Sequence, residues 1–311
     1  MFINQFFIHN KYFDNLIRHI FQRLLTFNIF IYYMAYIKIT RNYYINNFDK
    51  KVVKEIINNV KKTIIYENYN NIYYTQKYTL KQIITFIVIK IKYSLTWEAL
   101  GKYRSNIHKH FVRFCKYNIF TDTYKELITK YINSNKSKYI YTDTTTIINK
   151  GGINNIKKNK YYYNKNCNKI SIFADNKNVP IDIAFYAGNI YDSKILYKKM
   201  TQNTDLINKL KNIKCKTFVA DAGYCSHKNR NILKNNKINS VIKFNKRNNK
   251  KVNITFTENE QKIYNKRVNI EHIYANLKQK SILSQRNDKY FINYINQVMI
   301  YFLMRIIQYI K

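Results

Sequence analysis

The sequence has few cysteines, the residues that form disulfide bonds and structural zinc sites. Its four cysteines, Cys115, Cys167, Cys215 and Cys225, include no C-x-x-C pair. The spacing argues against a zinc knuckle and against a disulfide framework, and it fits a reducing compartment. Glycine occurs 5 times in 311 residues, and proline and tryptophan occur once each. No internal repeat is apparent.

No apolar run is long and clean enough to span a bilayer. The best candidate, residues 21–37, falls short of the ~20 apolar residues that a spanning helix needs. Arg23, Thr26 and Asn28 interrupt it, and no small-residue cleavage site follows it. We therefore predict an amphipathic helix here. Translation from Met34 would remove most of this segment.

Acidic residues are few in comparison with basic ones. Asp and Glu total 17 and Lys and Arg total 55, which gives a formal net charge of +38. Such an excess usually indicates a polyanionic partner, most often nucleic acid, or less directly a membrane surface. It also arises without a functional cause, because the abundant Lys, Asn, Ile, Tyr and Phe have codons rich in A and T. The charge permits DNA binding without establishing it.

The scarce residues are concentrated in one part of the chain. Six of the ten Asp lie between Asp143 and Asp221, and four of the five Gly lie between Gly151 and Gly223. This concentration predicts that a functional site lies in this part of the chain.

The chain before this region has a helical character. Residues 1–78 are basic and poorly defined, with weak helical periodicity. Residues 79–135 are predicted to be helical. A short helix that ends at Gly101, followed by a basic helix capped by Ser105, makes them a helix-turn-helix candidate for DNA binding. A plain three-helix bundle has the same pattern.

Residues 136–311 mix strand and helix patterns. Three predicted strands come first, the second and third joined by a turn at residues 176–178, with Pro180 opening the third. Helix, strand, helix, strand and helix follow. This order predicts a mixed α/β domain with an antiparallel start.

Two acids occupy strand positions in this domain. Asp143 lies inside the first predicted strand, and Asp221 closes the fourth. A carboxylate in a strand costs free energy unless it is paired or binds a cation, and a divalent metal relieves the repulsion between neighbouring carboxylates. Metal-assisted phosphoryl transfer uses such a cluster. Asp175 and Asp182 are predicted to be turn or surface acids, and Asp192 to begin a helix.

A third acid lies on a predicted helix over residues 259–280. Tyr264, Arg267, Glu271 and Lys278 are spaced to share one stripe of that helix. Glu271 could complete a metal site while Arg267 and Lys278 bind DNA phosphates. The alternative is a solvated i, i+4 ion pair worth roughly 0.3–0.5 kcal/mol.

These residues together resemble a known family. The spacing Y-x2-R-x3-E-x6-K is the signature of bacterial insertion-sequence transposases with a DDE catalytic domain. "YTDTTTI" resembles the family's first catalytic strand, and "FVADAGYCS" resembles the block that holds the second catalytic Asp. Asn189 and Asp192 match an N-x-x-D turn between them. The resemblance covers about residues 79–305.

The resemblance implies an α/β, ribonuclease H-like fold for residues 136–311, with a mixed sheet flanked by helices. It implies that Asp143, Asp221 and Glu271 are the catalytic and metal-binding triad. Asp143 and Asp221 would share one Mg²⁺, and Asp143 and Glu271 the other, with Mn²⁺ able to substitute. The chain between Asp221 and Glu271 is too short for the large β insertion of some relatives.

The implied activity is cut-and-paste movement of a DNA element. Water would hydrolyse a phosphodiester at the element's end, and the freed 3′-hydroxyl would attack target DNA. Arg267 and Lys278 would hold phosphates of the cleaved strand, and Tyr264 would contact DNA or pack beside the site. The expected partners are terminal inverted repeats, target DNA and a second copy of the chain, with no membrane. The expected location is cytoplasmic and DNA-associated, or a nucleus or viral factory in a eukaryotic host.

The sequence leaves two other functions open. One is a DNA-binding protein that kept the fold and lost the chemistry, and the other is a metal-dependent nuclease. Inverted repeats that flank the gene would separate a transposase from a nuclease.

Overall fold

A computed structural model of the protein describes residues 46–67, 78–153, 156–202, 204–245 and 255–310. The amphipathic helix predicted at residues 21–37 and most of the basic segment 1–78 lie outside this part. No helix within the described ranges is long and apolar enough to cross a membrane. The described residues from Phe48 onward belong to one compact unit.

The helices and strands are numbered in chain order. The helices are α1 (Asn47–Lys61), α2 (Leu80–Lys92), α3 (Arg104–Lys116), α4 (Ile119–Ser134), α5 (Asp192–Thr201), α6 (Thr204–Asn212), α7 (His227–Asn235), α8 (Glu258–Asn265), α9 (Val268–Gln279), α10 (Ser281–Ser284) and α11 (Phe291–Ile306). The strands are β1 (Tyr139–Asn149), β2 (Lys157–Asn159), β3 (Lys165–Asp175), β4 (Pro180–Ala187), β5 (Thr217–Ala220), β6 (Asn239–Ile242) and β7 (Gln285–Arg286).

Within the described residues, the strands form one mixed sheet of seven strands. β3 pairs antiparallel with β1 along one edge, and with β4 and the short β2 along the other. β1 pairs parallel with β5, and β5 pairs parallel with β6. The antiparallel start and the α/β class predicted from the sequence are confirmed. This order is consistent with a ribonuclease H-like domain.

The N-terminal helices pack around the last long helix. α2, α3 and α4 all contact α11, whose buried residues include Tyr294, Val298 and Phe302. Nine successive residues of α2 are buried, because its apolar side chains cover nearly every face, as predicted. Thr79 and Gln82 form a capping box that begins it. A helical N-terminal region beside the sheet is therefore confirmed.

The helix-turn-helix candidate differs in detail from the prediction. The first segment, Glu98–Tyr103, is a 3₁₀ segment kinked at Gly101, where φ is 53°. α3 then begins at Arg104, with no side-chain cap, so Ser105 lies inside the helix and does not cap it. The DNA-binding role of residues 79–135 and the domain boundary at residue 136 stay predictions.

The register between β1 and β5 decides the position of two acids. Tyr141 pairs with Val219 in the parallel ladder. Asp143 and Asp221 each lie two residues further along. Because side chains two residues apart share a face of the sheet, continuing this register brings the two carboxylates to the same level on the same face.

The predicted helix over residues 259–280 is two helices. α8 ends at Asn265 and α9 begins at Val268, with Lys266 and Arg267 between them. The stripe is therefore interrupted. Arg267 stands at the junction rather than inside a continuous helix, and Tyr264 lies on the preceding helix.

Asp175 is a turn acid, as predicted, but it is buried. Its Oδ1 accepts hydrogen bonds from the backbone N–H groups of Lys177 and Val179, both at 2.9 Å. Its Oδ2 accepts one from the hydroxyl of Tyr131 at 2.6 Å. Burial raises the pKa of this carboxyl, and the three hydrogen bonds oppose the shift. The side chain closes the β3–β4 turn.

Asp182 is not a surface or turn acid, and that prediction is wrong. It lies inside β4 and is only 4% exposed. Lys199 of α5 and Lys209 of α6 pair with its two oxygens at 2.6 and 2.9 Å. Sequence alternation did not show that two helices cover this face of the sheet and bring their amines to it.

Candidate active site

Asp143 is held in place at the middle of β1. Its Oδ1 accepts a hydrogen bond from the Thr144 N–H at 2.8 Å, and its Oδ2 accepts one from Nη1 of Arg267 at 2.9 Å. Burial raises the pKa of Asp143 to about 6; the Asp221 charge adds to this, while the Thr144 N–H and Arg267 oppose it. A carboxyl with this pKa beside a second acid is typical of a functional site.

Asp221 lies just beyond β5, at the start of a short 3₁₀ turn, Ala222–Tyr224. The Gly223 N–H donates to its Oδ1 at 2.8 Å. Burial raises the pKa of this carboxyl, and the nearby Asp192 charge adds to the shift, whereas the Gly223 N–H and Arg267 lower it. The turn therefore fixes the carboxylate at the end of the strand.

Glu271 is connected to Asp143 through one guanidinium. Nη2 of Arg267 donates to Oε1 of Glu271 at 2.8 Å, while Nη1 donates to Asp143. The i, i+4 ion pair considered from the sequence is therefore present. It is not a simple solvated pair, because the same Arg267 also binds a strand carboxylate and is only 17% exposed itself. The Glu271 side chain itself is 52% exposed.

Tyr274, one turn after Glu271, attaches α9 to the sheet. Its buried hydroxyl donates to the backbone carbonyl of Asp143 at 2.5 Å and accepts from the Ile172 N–H at 3.0 Å. This contact holds the helix that carries Glu271 against the strand that carries Asp143. Tyr274 was not among the site residues predicted from the sequence. Its place in the apolar stripe that α9 buries was the available signal.

A fourth carboxylate stands beside Asp221. Asp192 begins α5, as predicted, and its Oδ1 pairs with Nζ of Lys169 at 2.7 Å. A Cβ atom on Gly223 would lie 3.1 Å from Oδ2 of Asp192 and 3.1 Å from Oδ1 of Asp221. Glycine at this position therefore keeps the gap between the two carboxylates open. The N-x-x-D turn was the sequence signal for this residue.

The two remaining predicted site residues are placed differently. The ring of Tyr264 lies 5.7 Å from the guanidinium carbon of Arg267, so Tyr264 is beside the site. Lys278 is exposed in the last turn of α9. Its seven-residue spacing from Glu271 keeps it on the same face, two turns away. The structure thus brings Asp143, Arg267 and Glu271 into direct contact, with Asp221 and Tyr264 beside them.

The family model of the transposase DDE domain matches residues 110–304. The chain belongs to the DDE transposase family. The match runs from inside α3 to near the end of α11, so it contains the whole sheet and every site residue described above. No curated protein and no solved structure matches the transposase. The resemblance to DDE transposases noted from the sequence is confirmed.

DDE transposases generally use divalent metal ions, and the acids of this transposase suit them. Carboxylate oxygens are the ligands that Mg²⁺ and Mn²⁺ prefer, and the Arg267 guanidinium already stands as a cation between Asp143 and Glu271. Among the described residues, no three His, Cys, Asp or Glu side chains are grouped to hold an ion. The metal-binding role of the triad stays a prediction.

The raised pKa of Asp143 predicts a pH effect on stability. Folding shifts this pKa from 3.8 to about 6. Between these values the folded protein holds a proton that the unfolded chain has lost, so stability falls as pH rises through this window. Asp143→Asn lacks this titration. We expect the free energy of unfolding of the variant, relative to wild type, to rise from pH 4 to pH 6.5 in urea titrations. A difference that is constant with pH would contradict the shift.

Proposed function

We propose that this transposase binds the ends of a mobile DNA element and catalyses metal-dependent strand cleavage and strand transfer. Asp143, Asp221 and Glu271 are the proposed catalytic acids and ligands of two Mg²⁺ ions. The main support is that one guanidinium contacts Asp143 and Glu271 at 2.9 and 2.8 Å. The β1–β5 register, continued by two residues, brings Asp221 level with Asp143. These contacts support one common site for three acids that are remote in sequence.

Each part of the site has a task in this proposal. Bound Mg²⁺ would activate the attacking oxygen and neutralise the charge that develops on the phosphate. β1 and the turn after β5 hold Asp143 and Asp221 rigidly, and Tyr274 sets the helix of Glu271 against them. Water is the nucleophile in the first step, which leaves a 3′-hydroxyl. That hydroxyl attacks a target phosphodiester in the second step, so one bond breaks as another forms.

DNA binding is proposed for two basic surfaces. Lys278 lies two helical turns from Glu271 along α9 and would contact a phosphate beside the scissile one. In the helical region, Lys109, Arg113 and Lys116 are exposed along one face of α3. They line a groove of about 600 Å³ together with Ile65. We propose that residues 79–135 use this face on the DNA backbone, and that residues 136–311 form the catalytic domain.

Lys278 provides a test of the proposed phosphate contacts. We expect Lys278→Gln to weaken binding to the element's end and to reduce the slope of log K against log salt by about 1. Lys211→Gln, an exposed lysine in the last turn of α6, removes the same charge away from the site and is expected to leave the slope unchanged. Equal slopes for Lys278→Gln and wild type would show that Lys278 does not bind phosphate.

The proposed activity is tested on the DNA that flanks the gene. Sequencing both flanks is expected to show terminal inverted repeats. A duplex that carries one repeat, incubated with the transposase and Mg²⁺, is expected to be cut at the repeat's boundary with a free 3′-hydroxyl. Cleavage without repeats in the flanks would favour a nuclease. Binding without cleavage in Mg²⁺ or Mn²⁺ would favour a DNA-binding protein that lost its chemistry.

Two copies are proposed to act together on DNA, since an element has two ends to be cut. The mass of the complex with a repeat duplex, measured by light scattering, is expected to contain two chains. A complex with a single chain that still cleaves would contradict this.

A further inference from the structure

Arg267 has two acidic partners at once, and this is unusual for a residue expected to bind DNA. Its Nη1 and Nη2 donate to Asp143 and Glu271 at 2.9 and 2.8 Å. Its buried Nε has no hydrogen-bond partner among the described residues. Two of its nitrogens therefore bind carboxylates. In this state the guanidinium does not have both of these nitrogens available for a bidentate contact with a phosphate.

The oxygens that Arg267 occupies are the ones that the proposed function assigns to a metal ion. Oδ2 of Asp143 and Oε1 of Glu271 each accept a guanidinium N–H. A guanidinium carries only donors, and a divalent cation cannot approach the same lone pairs while these N–H groups point at them. Arginine and metal therefore compete for the two carboxylates.

The position of Arg267 allows it to change partners. It stands at the junction between α8 and α9, where the helix is interrupted. The ring of Tyr264 lies 5.7 Å from the guanidinium carbon, and the Glu271 side chain that Arg267 contacts is 52% exposed. Arginine pairs with phosphate through the same two-pronged geometry that it uses with carboxylate. A DNA phosphate is thus a suitable exchange partner.

We propose that Arg267 couples metal binding to DNA binding. In the DNA-free transposase its guanidinium holds Asp143 and Glu271 and keeps a divalent cation out. When DNA binds, a backbone phosphate takes the guanidinium and releases both carboxylates to the metal. This inference rests on the proposed function and adds to it an order of events: DNA first, then metal. Because coupling is reciprocal, metal also strengthens DNA binding by the same factor.

The test measures Mn²⁺ binding to DNA-free protein by calorimetry, without any cleavage assay. Arg267→Gln removes the charge and the bridge, whereas Arg267→Lys keeps the charge and cannot span both carboxylates. We expect both variants to bind Mn²⁺ about tenfold more tightly than wild type, within the usual range of coupling between sites. Arg104→Gln, which removes an exposed arginine from its pair with Glu98, is the control and is expected to match wild type.

The outcomes separate the proposal from its alternatives. If Arg267→Lys binds Mn²⁺ as wild type does, the effect of Arg267 is only its charge, and the proposal is wrong. If Glu271→Gln leaves Mn²⁺ binding unchanged in the Arg267→Gln background, the metal site itself, and with it the proposed function, is wrong. Should the Arg267 variants not fold, the wild type suffices. The Mn²⁺ affinity of the wild type, measured by electron paramagnetic resonance and corrected for the Mn²⁺ that the duplex binds by itself, must rise when duplex is added.

Discussion

Asp143→Asn is expected to slow DNA cleavage by the transposase by about a thousandfold or more while DNA binding persists. A metal ion contributes several kcal/mol of charge stabilisation in the transition state, and each ~1.4 kcal/mol corresponds to a factor of ten in rate. The amide keeps the shape of the side chain but loses the charge. Asp221→Asn and Glu271→Gln are expected to behave alike, because each removes a carboxylate from the same cluster.

The measurement is the single-turnover rate of 3′-hydroxyl formation on a repeat duplex, with binding followed by gel shift. Asp205→Asn is the matched control, since this acid lies in α6, is 55% exposed and pairs with Lys209 away from the site. It should cleave at the wild-type rate. Wild-type cleavage by any one of the three site variants would remove that residue from the triad.

Asp182→Ala is expected to destabilise the folded protein by roughly 3–5 kcal/mol. The carboxylate is 4% exposed and is the shared partner of Lys199 and Lys209. Removing it leaves two amines that are each only 11% exposed without their common counter-charge. The three side chains connect β4 with α5 and α6, so the loss is expected to loosen both helices on the sheet.

The free energy of unfolding of Asp182→Ala is measured by urea denaturation and compared with that of Asp205→Asn. Asp205→Asn removes the other acid beside Lys209, at 2.7 Å, but from an exposed position. Exposed pairs contribute only about 0–1 kcal/mol, so this variant should unfold close to wild type. A loss of less than about 1 kcal/mol for Asp182→Ala would mean that the two lysines find water or other partners at little cost.

The amino-acid sequence alone determined the kinds and order of the main elements. Alternating β-branched residues predicted β1, and the turn before Pro180 predicted the β3–β4 pair; both are present. These features depend on neighbours within a few residues, where propensity and periodicity act directly. The short β2 and β7 have too few residues to carry a pattern, and they were not predicted from the sequence. The acids and their spacing were also enough to identify the family.

The tertiary structure alone decided how the site is assembled. Whether Asp143 and Asp221 lie at the same level of the sheet depends on the register between β1 and β5, which no local pattern specifies. Arg267 lies at the break before α9 and contacts Asp143 as well as Glu271. The continuous helix predicted from the sequence would have placed Arg267 in a stripe that faces DNA. The burial of Asp182 depends on helices that follow it in the chain. In each case the deciding contacts join residues far apart in sequence, and their energies arise only when the chain has packed.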